Sequence, residues 1–307
     1  MILIISKHVD DFVNQVIDCT NGDFIRLGDL DNFHVEYIEI TNTYNFFISD
    51  QYNKIYNLND VSAIWFNGCI DPYINMPYEN KSYTYLFNTF LNHSSKIKIG
   101  RFLNDFEINK LDVLIEAKKQ GFIVPETLII NNKNELQKFF EKHKKNNGII
   151  SKRIIDNQHF YLFEDFYYNF NLTFIVTQDS INKMSDKFSI SLVQERILSE
   201  FEIRVVFLND TFYAMSIHDC SKSIDYRTNF NNNKLRMIPF NLPKTIQIKL
   251  RRLFKKLNLN FGSVDLMFVD SKYYFLEINT TGQISFLNNA CNYYLEYEFI
   301  KIFNHEK

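Results

Sequence analysis

The sequence predicts an α/β (α+β) protein, and three observations carry that prediction. Short apolar, strand-like runs alternate with polar turns over the first hundred residues; amphipathic helices interleave with strands from about residue 104; a strand-rich tract with a late hairpin fills the last third. In the first tract the strands are Met1 to Ile5, His34 to Ile40 and Ala63 to Phe66, with a helical stretch around Tyr83 to Leu91. Its glycines are isolated, as in Asn21-Gly22 and Asn67-Gly68, so no phosphate-loop motif is present.

The second tract opens where Asn104 or Asp105 can cap a helix with Ile108, Leu111, Leu114 and Ile115 on one face and Gly121 ending it in a left-handed conformation. Phe122 to Ile130 reads as a strand carrying Pro125. Leu136, Phe139 and Phe140 mark a second helix that stops near Gly148, and Gly148 to Ile154 and His159 to Phe163 read as strands. From Phe188 to His218 strands dominate, with Asn209-Asp210 a hairpin turn. Asn241 or Pro243 opens a helix carrying Ile246, Leu250, Leu253, Phe254 and Leu257 on its apolar side. The strands Ser263 to Val269 and Tyr273 to Asn279 follow, then a final helix from Tyr293 to Phe303.

Composition excludes several classes. With 307 residues, 46% of them hydrophobic, the chain can bury a real core, and its net charge of -2 offers no overall basic field for nucleic acid. Cys19, Cys69, Cys220 and Cys291 form no close pair of the zinc or redox-dithiol kind, which fits a reducing cytoplasm. Acidic residues Asp10 and Asp11 interrupt any signal-peptide reading of the N-terminus, and no stretch is long enough to cross a bilayer.

The chemistry gathers near the end of the chain. Glu277 and Asn279 lie two apart in a strand-like run, so both side chains project to one face. If the hairpin loop is Asp270-Ser271-Lys272, Val269 pairs with Tyr273 and Asp265 falls opposite Glu277. Two carboxylates facing each other ask for a cation, and magnesium prefers such hard oxygen ligands. Lys152, inside the apolar run from Gly148, and Lys110, in a helix's first turn, would both gain from an anionic partner. Arg204 and Arg227 can each take a phosphate in a bidentate fork. Taken singly, each of these cations also fits a surface or salt-bridge role; their weight is collective. His218 is open as a general base or as a packed histidine.

The ordered set resembles the ATP-grasp superfamily over about residues 104 to 285. The matching run is Asn109-Lys110, Gly121 to Thr127, Lys152, Gln194-Glu195-Arg196-Ile197, Glu202-Ile203-Arg204, Asp225-Tyr226-Arg227, Asp265, and Leu276-Glu277-Ile278-Asn279. More narrowly, it resembles the microviridin-type maturases that make graspetides, and Gly282-Gln283 with the tail Cys291 to Glu296 is similar to their grasp-with-spasm branch. The resemblance implies an ATP-grasp fold with a pre-ATP-grasp-like domain at 1–103, a central subdomain at 104–190 and a C-terminal subdomain with a metal site at 191–307. It implies ATP and Mg2+ as cofactors: Lys110 and Lys152 on the phosphates, Gln194, Glu195, Arg196 and Ile197 as the hinge over adenine, and Glu202 near the ribose. Arg204 and Arg227 would hold the reacting phosphates, and Asp265, Glu277 and Asn279 the metal. Asp or Glu side chains of a precursor peptide, recognised through leader and core segments, would be joined as esters or amides to Ser, Thr or Lys. Self-association is left open, and neither nucleic acid nor membrane is an expected partner.

Two departures from the branch are visible. An aromatic followed by paired arginines is usual near Trp65-Phe66-Asn67-Gly68, and a proline is usual where Thr280 follows the metal asparagine. Rival readings are a ligase that adds glutamate to a protein C-terminus, whose pattern Arg227-Thr228-Asn229 also fits, and a binding protein that has lost catalysis.

Overall fold

The structure, a computed structural model, describes residues 1–6, 10–28, 34–50, 52–68, 96–100, 108–152, 154, 161–163, 166–168, 173–219, 235–281 and 283–304. Between them, Ser82, Tyr85, Leu86, Thr89, Phe90 and His93 are helical; Tyr85 to Phe90 fall within the stretch expected to be a helix, and Ser82 and His93 lie just beyond its two ends.

The N-terminal part is a parallel sheet in the order β2-β1-β6-β7, built from β1 (Ile2–Ser6), β2 (Phe24–Leu27), β6 (Ala63–Asn67) and β7 (Ile97–Ile99). All residues of β1 and β6 are buried, as expected of strands covered on both faces. Helix α1 (Asp11–Cys19) connects β1 to β2, and its cap, Asp10, accepts a hydrogen bond from the Val13 amide. An antiparallel meander of β3 (His34–Ile40), β4 (Tyr44–Ser49) and β5 (Ile55–Asn57) packs Phe46 and Ile48 with Leu3, Ile5, Ile64 and Phe66.

Helix α2 (Lys110–Lys119) starts later than the sequence suggests, because Asn109 provides the cap. Asn104 and Asp105, the expected caps, lie outside the described residues. Its buried face is Val113, Leu114 and Ala117, whereas Ile115, expected on that face, is exposed. The expected strand from Phe122 to Ile130 is divided: only an isolated bridge joins Ile123 to Tyr274, and β8 (Thr127–Asn132) begins after Pro125, which has no amide hydrogen to donate to a ladder.

The central sheet has the order β12-β9-β13-β8, with β9 (Ile149–Lys152), β12 (Phe174–Val176) and β13 (Lys187–Glu195). Helices α3 (Lys133–His143) and α4 (Gln178–Lys183) cover one face, where Leu136, Phe139, Phe140 and Ile181 meet Ile149, Val176 and Val193. Strands β10 (Tyr161–Phe163) and β11 (Phe166–Tyr168) form a separate hairpin.

A five-stranded antiparallel sheet, order β16-β15-β14-β17-β18, holds the last part: β14 (Phe201–Leu208), β15 (Thr211–Asp219), β16 (Leu235–Pro239), β17 (Phe261–Val269) and β18 (Lys272–Asn279). On one face Ile203, Val205, Val264, Leu266 and Phe275 pack under α2 and helix α5 (Lys244–Lys256). On the other, Val206, Leu208, Met215 and Ile217 share a core with Trp65, Phe12 and the C-terminal helices. A short helix that the sequence did not suggest, α6 (Ser285–Cys291), precedes the final one, α7 (Leu295–Phe303), which forms within the expected Tyr293 to Phe303; Asn292 and Tyr294, both left-handed, separate the two. Phe299 of α7 lies 4.5 Å from Trp65 and 5.3 Å from Phe12 between ring centroids, so the end of the chain locks onto its beginning.

Candidate active site

The late hairpin does not use the loop that the sequence suggested. Asp270 and Ser271 alone make the turn, both at positive φ, so Val269 pairs with Lys272 and Leu266 with Phe275. On that register Glu277 would share the core face with Phe275. A bulge between Leu266 and Asp265 adds one residue on β18, and beyond it Asp265 does pair with Glu277 and Ser263 with Asn279. The expected facing pair therefore forms, but through a bulge that turns Glu277 away from the core cluster of Phe275 and Ile278.

Strand alternation then gathers the polar groups. Arg204 pairs with Asp265, and Glu202 lies two residues along the same face of β14. Arg204 is fully buried; its Nη1 donates to Asp265 Oδ1 at 2.7 Å and Oδ2 at 2.8 Å, and its Nη2 to Gln283 Oε1 at 3.3 Å. The Phe286 ring centroid lies 5.6 Å from the guanidinium carbon. Asn279 Nδ2 is 3.5 Å from Asp265 Oδ2, and Lys110, reaching from the first turn of α2, places Nζ 3.9 Å from Glu277 Oε2.

Lys152 approaches from the central sheet. Register puts Ile150 opposite Gln194 and Lys152 opposite Leu192, on the face that α3 and α4 leave uncovered. Burial pushes the Lys152 ammonium below the usual lysine range; the carboxylates of Glu277, Glu202 and Asp265 oppose that shift and Lys110 adds to it. The two sheets thus face each other across one cluster of charge. Gln194, buried, donates to Thr127 Oγ1 at 2.8 Å; Glu195 accepts from the Glu126 amide at 3.0 Å, and the Arg196 amide donates to the Gly148 carbonyl. Arg196 to Ser199 then carry the chain from the central sheet to β14, with Ile197 in that connection.

Of the residues singled out in the sequence, Lys110, Lys152, Glu202, Arg204, Asp265, Glu277 and Asn279 come together, and the segment from Gln194 to Ile197 links the two sheets beside them. Arg227 lies outside the described residues. His218 does not join the cluster. Its strand position shares the face of Ala214, opposite that of Arg204, and its ring lies tilted against Phe201 with centroids 5.0 Å apart. Ile150 and Leu192, the buried apolar floor beside Lys152, were missed, as was His143, which lies buried with Nε2 3.1 Å from Glu126 and Nδ1 3.7 Å from Glu195. Alternation along β9 and β13 could have found the first two; nothing in sequence spacing joins His143 to Glu195.

The donor set fits a hard cation. Among the described residues no three His, Cys, Asp or Glu side chains gather at one point, and the trio here is of another make, two carboxylates and an amide. Although Arg204 occupies one acceptor direction on each oxygen of Asp265, a carboxylate offers about four, so the metal-facing directions remain. Asp265, Glu277 and Asn279 would hold magnesium, completed by waters and phosphate oxygens.

The profile of the RimK-like ATP-grasp domain matches residues 108–302. The chain belongs to that family. It is accordingly an ATP-grasp ligase, and solved structures agree in fold. The macrocyclase MdnC of Microcystis aeruginosa MRC, bound with its precursor peptide MdnA, superposes with a TM-score of 0.81 at 20% identity over 99% of both chains. A RiPP-associated ATP-grasp ligase of Chryseobacterium gregarium, in complex with ADP and a leader and core peptide, gives 0.76 at 22% identity over 98% of this chain and 94% of that one. The ATP-grasp ligase PsnB, complexed with a minimal precursor, Mg and ADP, gives 0.69 at 14% identity over 99% and 96%. No curated protein matches the sequence. No helix among the described residues is long and apolar enough to cross a membrane.

Lys152→Met should weaken ATP binding at least tenfold by calorimetry, since an enclosed ammonium is the natural partner of a phosphate. It should also flatten the pH dependence of stability. The folded site binds the Lys152 proton less tightly than the unfolded chain does. Below its folded pKa the group therefore carries a constant penalty, relieved as pH rises toward the ordinary lysine range. Subtracting the variant's alkaline unfolding curve from that of the wild type isolates this slope from the tyrosines.

Proposed function

We propose that this ligase activates Asp or Glu side-chain carboxylates of a precursor peptide as acyl-phosphates and joins them to a Ser, Thr or Lys side chain of the same peptide. The observation that carries the proposal is the convergence of Lys152, Lys110 and Arg204 on Glu202, Asp265 and Glu277 between two sheets. Precursor peptides bound to the structural neighbours MdnC and PsnB support the choice of substrate.

Lys110 and Lys152 would hold the phosphates of ATP, and Gln194 to Ile197 with Ile150 and Leu192 would enclose the base. Magnesium, when bound, supplies charge neutralisation at the transferring phosphoryl oxygens. Arg204, buried and clamped, adds a fixed positive charge where negative charge develops, and Arg227 is assigned the same task. A cleft closed around the bound substrates would keep water from an acyl-phosphate until the nucleophile meets it.

The test is mass spectrometry of a candidate precursor peptide after incubation with Mg-ATP. Capture of an acyl-phosphate by a side chain removes one water, so each ring should lower the mass by about 18 Da and release one ADP. A mass gain in steps of an amino acid would instead establish a residue-adding ligase, and an unchanged peptide without ADP a binding protein.

A further inference from the structure

Helix α5 gathers positive charge that no acid of its own balances, and only Lys255 and Lys256, in the last turn, are favoured by the helix dipole. It carries Lys244, Lys249, Arg251, Arg252, Lys255 and Lys256 and no acid, and Lys244 opens its first turn with no acidic residue or side-chain cap to meet the dipole. Arg251 with Lys255, and Arg252 with Lys256, repel at i,i+4 spacing. Other helices balance their lysines internally, as in Glu135–Lys138, Asp179–Lys183 and Glu298–Lys301. Two α5 cations have structural duties: Lys249 donates to the Gly121 carbonyl, and Arg251 to that of Asp210. Lys244, Arg252, Lys255 and Lys256 stand exposed in a chain whose net charge is -2.

We propose that the exposed face of α5 docks a carboxylate-rich segment of the peptide substrate away from the reaction site. The inference rests on the proposed function: a ligase that consumes one side-chain carboxylate per ring acts on a peptide that carries several, and charge complementarity selects this face. Its position suits the role. Helix α5 lies on the side of the five-stranded sheet opposite Arg204, while α2 runs beside it from Lys110 at Glu277 to Glu116, which feels the charge of Lys256. From Lys110 to Glu116 the helix rises about 9 Å, a distance that about three residues of extended peptide bridge.

The test compares wild type with Lys244→Glu/Arg252→Glu/Lys255→Glu, whose substitutions are all exposed; the acid in the first turn and the new opposite-charge pairs with Arg251 and Lys256 offset the acid in the last turn, so its unfolding midpoint should not fall. Labelled oligoglutamate, read by fluorescence anisotropy without ATP, should bind the variant at least tenfold more weakly. Wild-type binding should fade between about 0.01 M and about 1 M salt, as the Debye length shrinks from about 30 to about 3 Å. Oligoglutamine should bind neither protein. Equal oligoglutamate affinities would overturn the proposal, as would tighter capture of a single-stranded oligonucleotide. Self-association lost in the variant, with no oligoglutamate binding by wild type, would overturn it in favour of a second copy of the chain. Failure of the proposed function looks different: no ADP release with the precursor peptide while the oligoglutamate result stands.

Discussion

Glu277→Gln should lower ADP formation by about a thousandfold or more while moving the unfolding midpoint by no more than a few degrees, and Asn279→Ala should do the same. The split between activity and stability follows from where the two residues stand. Neither belongs to a hydrophobic cluster, and both lie beyond the bulge, on the face of β18 turned from the core. The Lys110–Glu277 contact is long, at 3.9 Å, and glutamine keeps an oxygen that can face Lys110, so the loss to stability is small beside the loss of a metal ligand. What the variants chiefly remove is an oxygen ligand for the bound cation, beyond the long contacts these side chains make to Lys110 and Asp265. A structural role would give the opposite pattern, a lower midpoint with turnover reduced only in proportion. Two further measurements sharpen the result: magnesium titration should show a weakened metal dependence, and Lys110→Met, which removes the same ion pair from its other end, should be equally stable. Wild-type rates of ADP release from either Glu277→Gln or Asn279→Ala would remove both residues from the reaction.

How far the sequence could lead is clearest in the hairpin that carries these residues. Alternation placed Glu277 and Asn279 on one face, and like-charge repulsion singled out the Asp265–Glu277 pair; both hold. The route to that pair was not legible, because a two-residue turn at Asp270-Ser271 and a compensating bulge give the same pairing as a three-residue loop without one. The same limit appears at Ile115, an apolar residue in a helical pattern that the packing of α2 leaves outside. It appears again at Tyr294, whose left-handed backbone no propensity announces. Local rules read elements well and faces less well. Contacts between distant segments, such as Arg204 with Gln283 or Lys152 with Glu277, are set by how sheets stack, and the ordered resemblance to a family gave some of these residues related roles without giving the contacts.

Arg204→Met should be the most damaging single change, costing about 3–5 kcal/mol of stability as well as activity, because it strips a buried carboxylate of its partner. Asp265 is 6% exposed and takes two charge-assisted hydrogen bonds from Arg204, which is itself 0% exposed. With methionine in its place, Asp265 loses both of those bonds, and the amide of Asn279 at 3.5 Å is a poor replacement for them. Arg204→Lys should recover only part of the loss, since a single ammonium cannot clamp the carboxylate and reach Gln283 as well. The decisive comparison is the double variant Arg204→Met/Asp265→Leu. Replacing both members of a buried pair with apolar groups is often close to neutral for stability, so the double variant should unfold much nearer to wild type than Arg204→Met does. Its activity should not return, because the guanidinium assigned to the phosphoryl oxygens and a ligand assigned to magnesium are then both missing. Urea unfolding and ADP release, measured on all four proteins, separate the two effects. A single variant as stable as wild type would mean that Asp265 does not depend on Arg204 in the folded protein, and ADP release by the double variant would place the chemistry elsewhere.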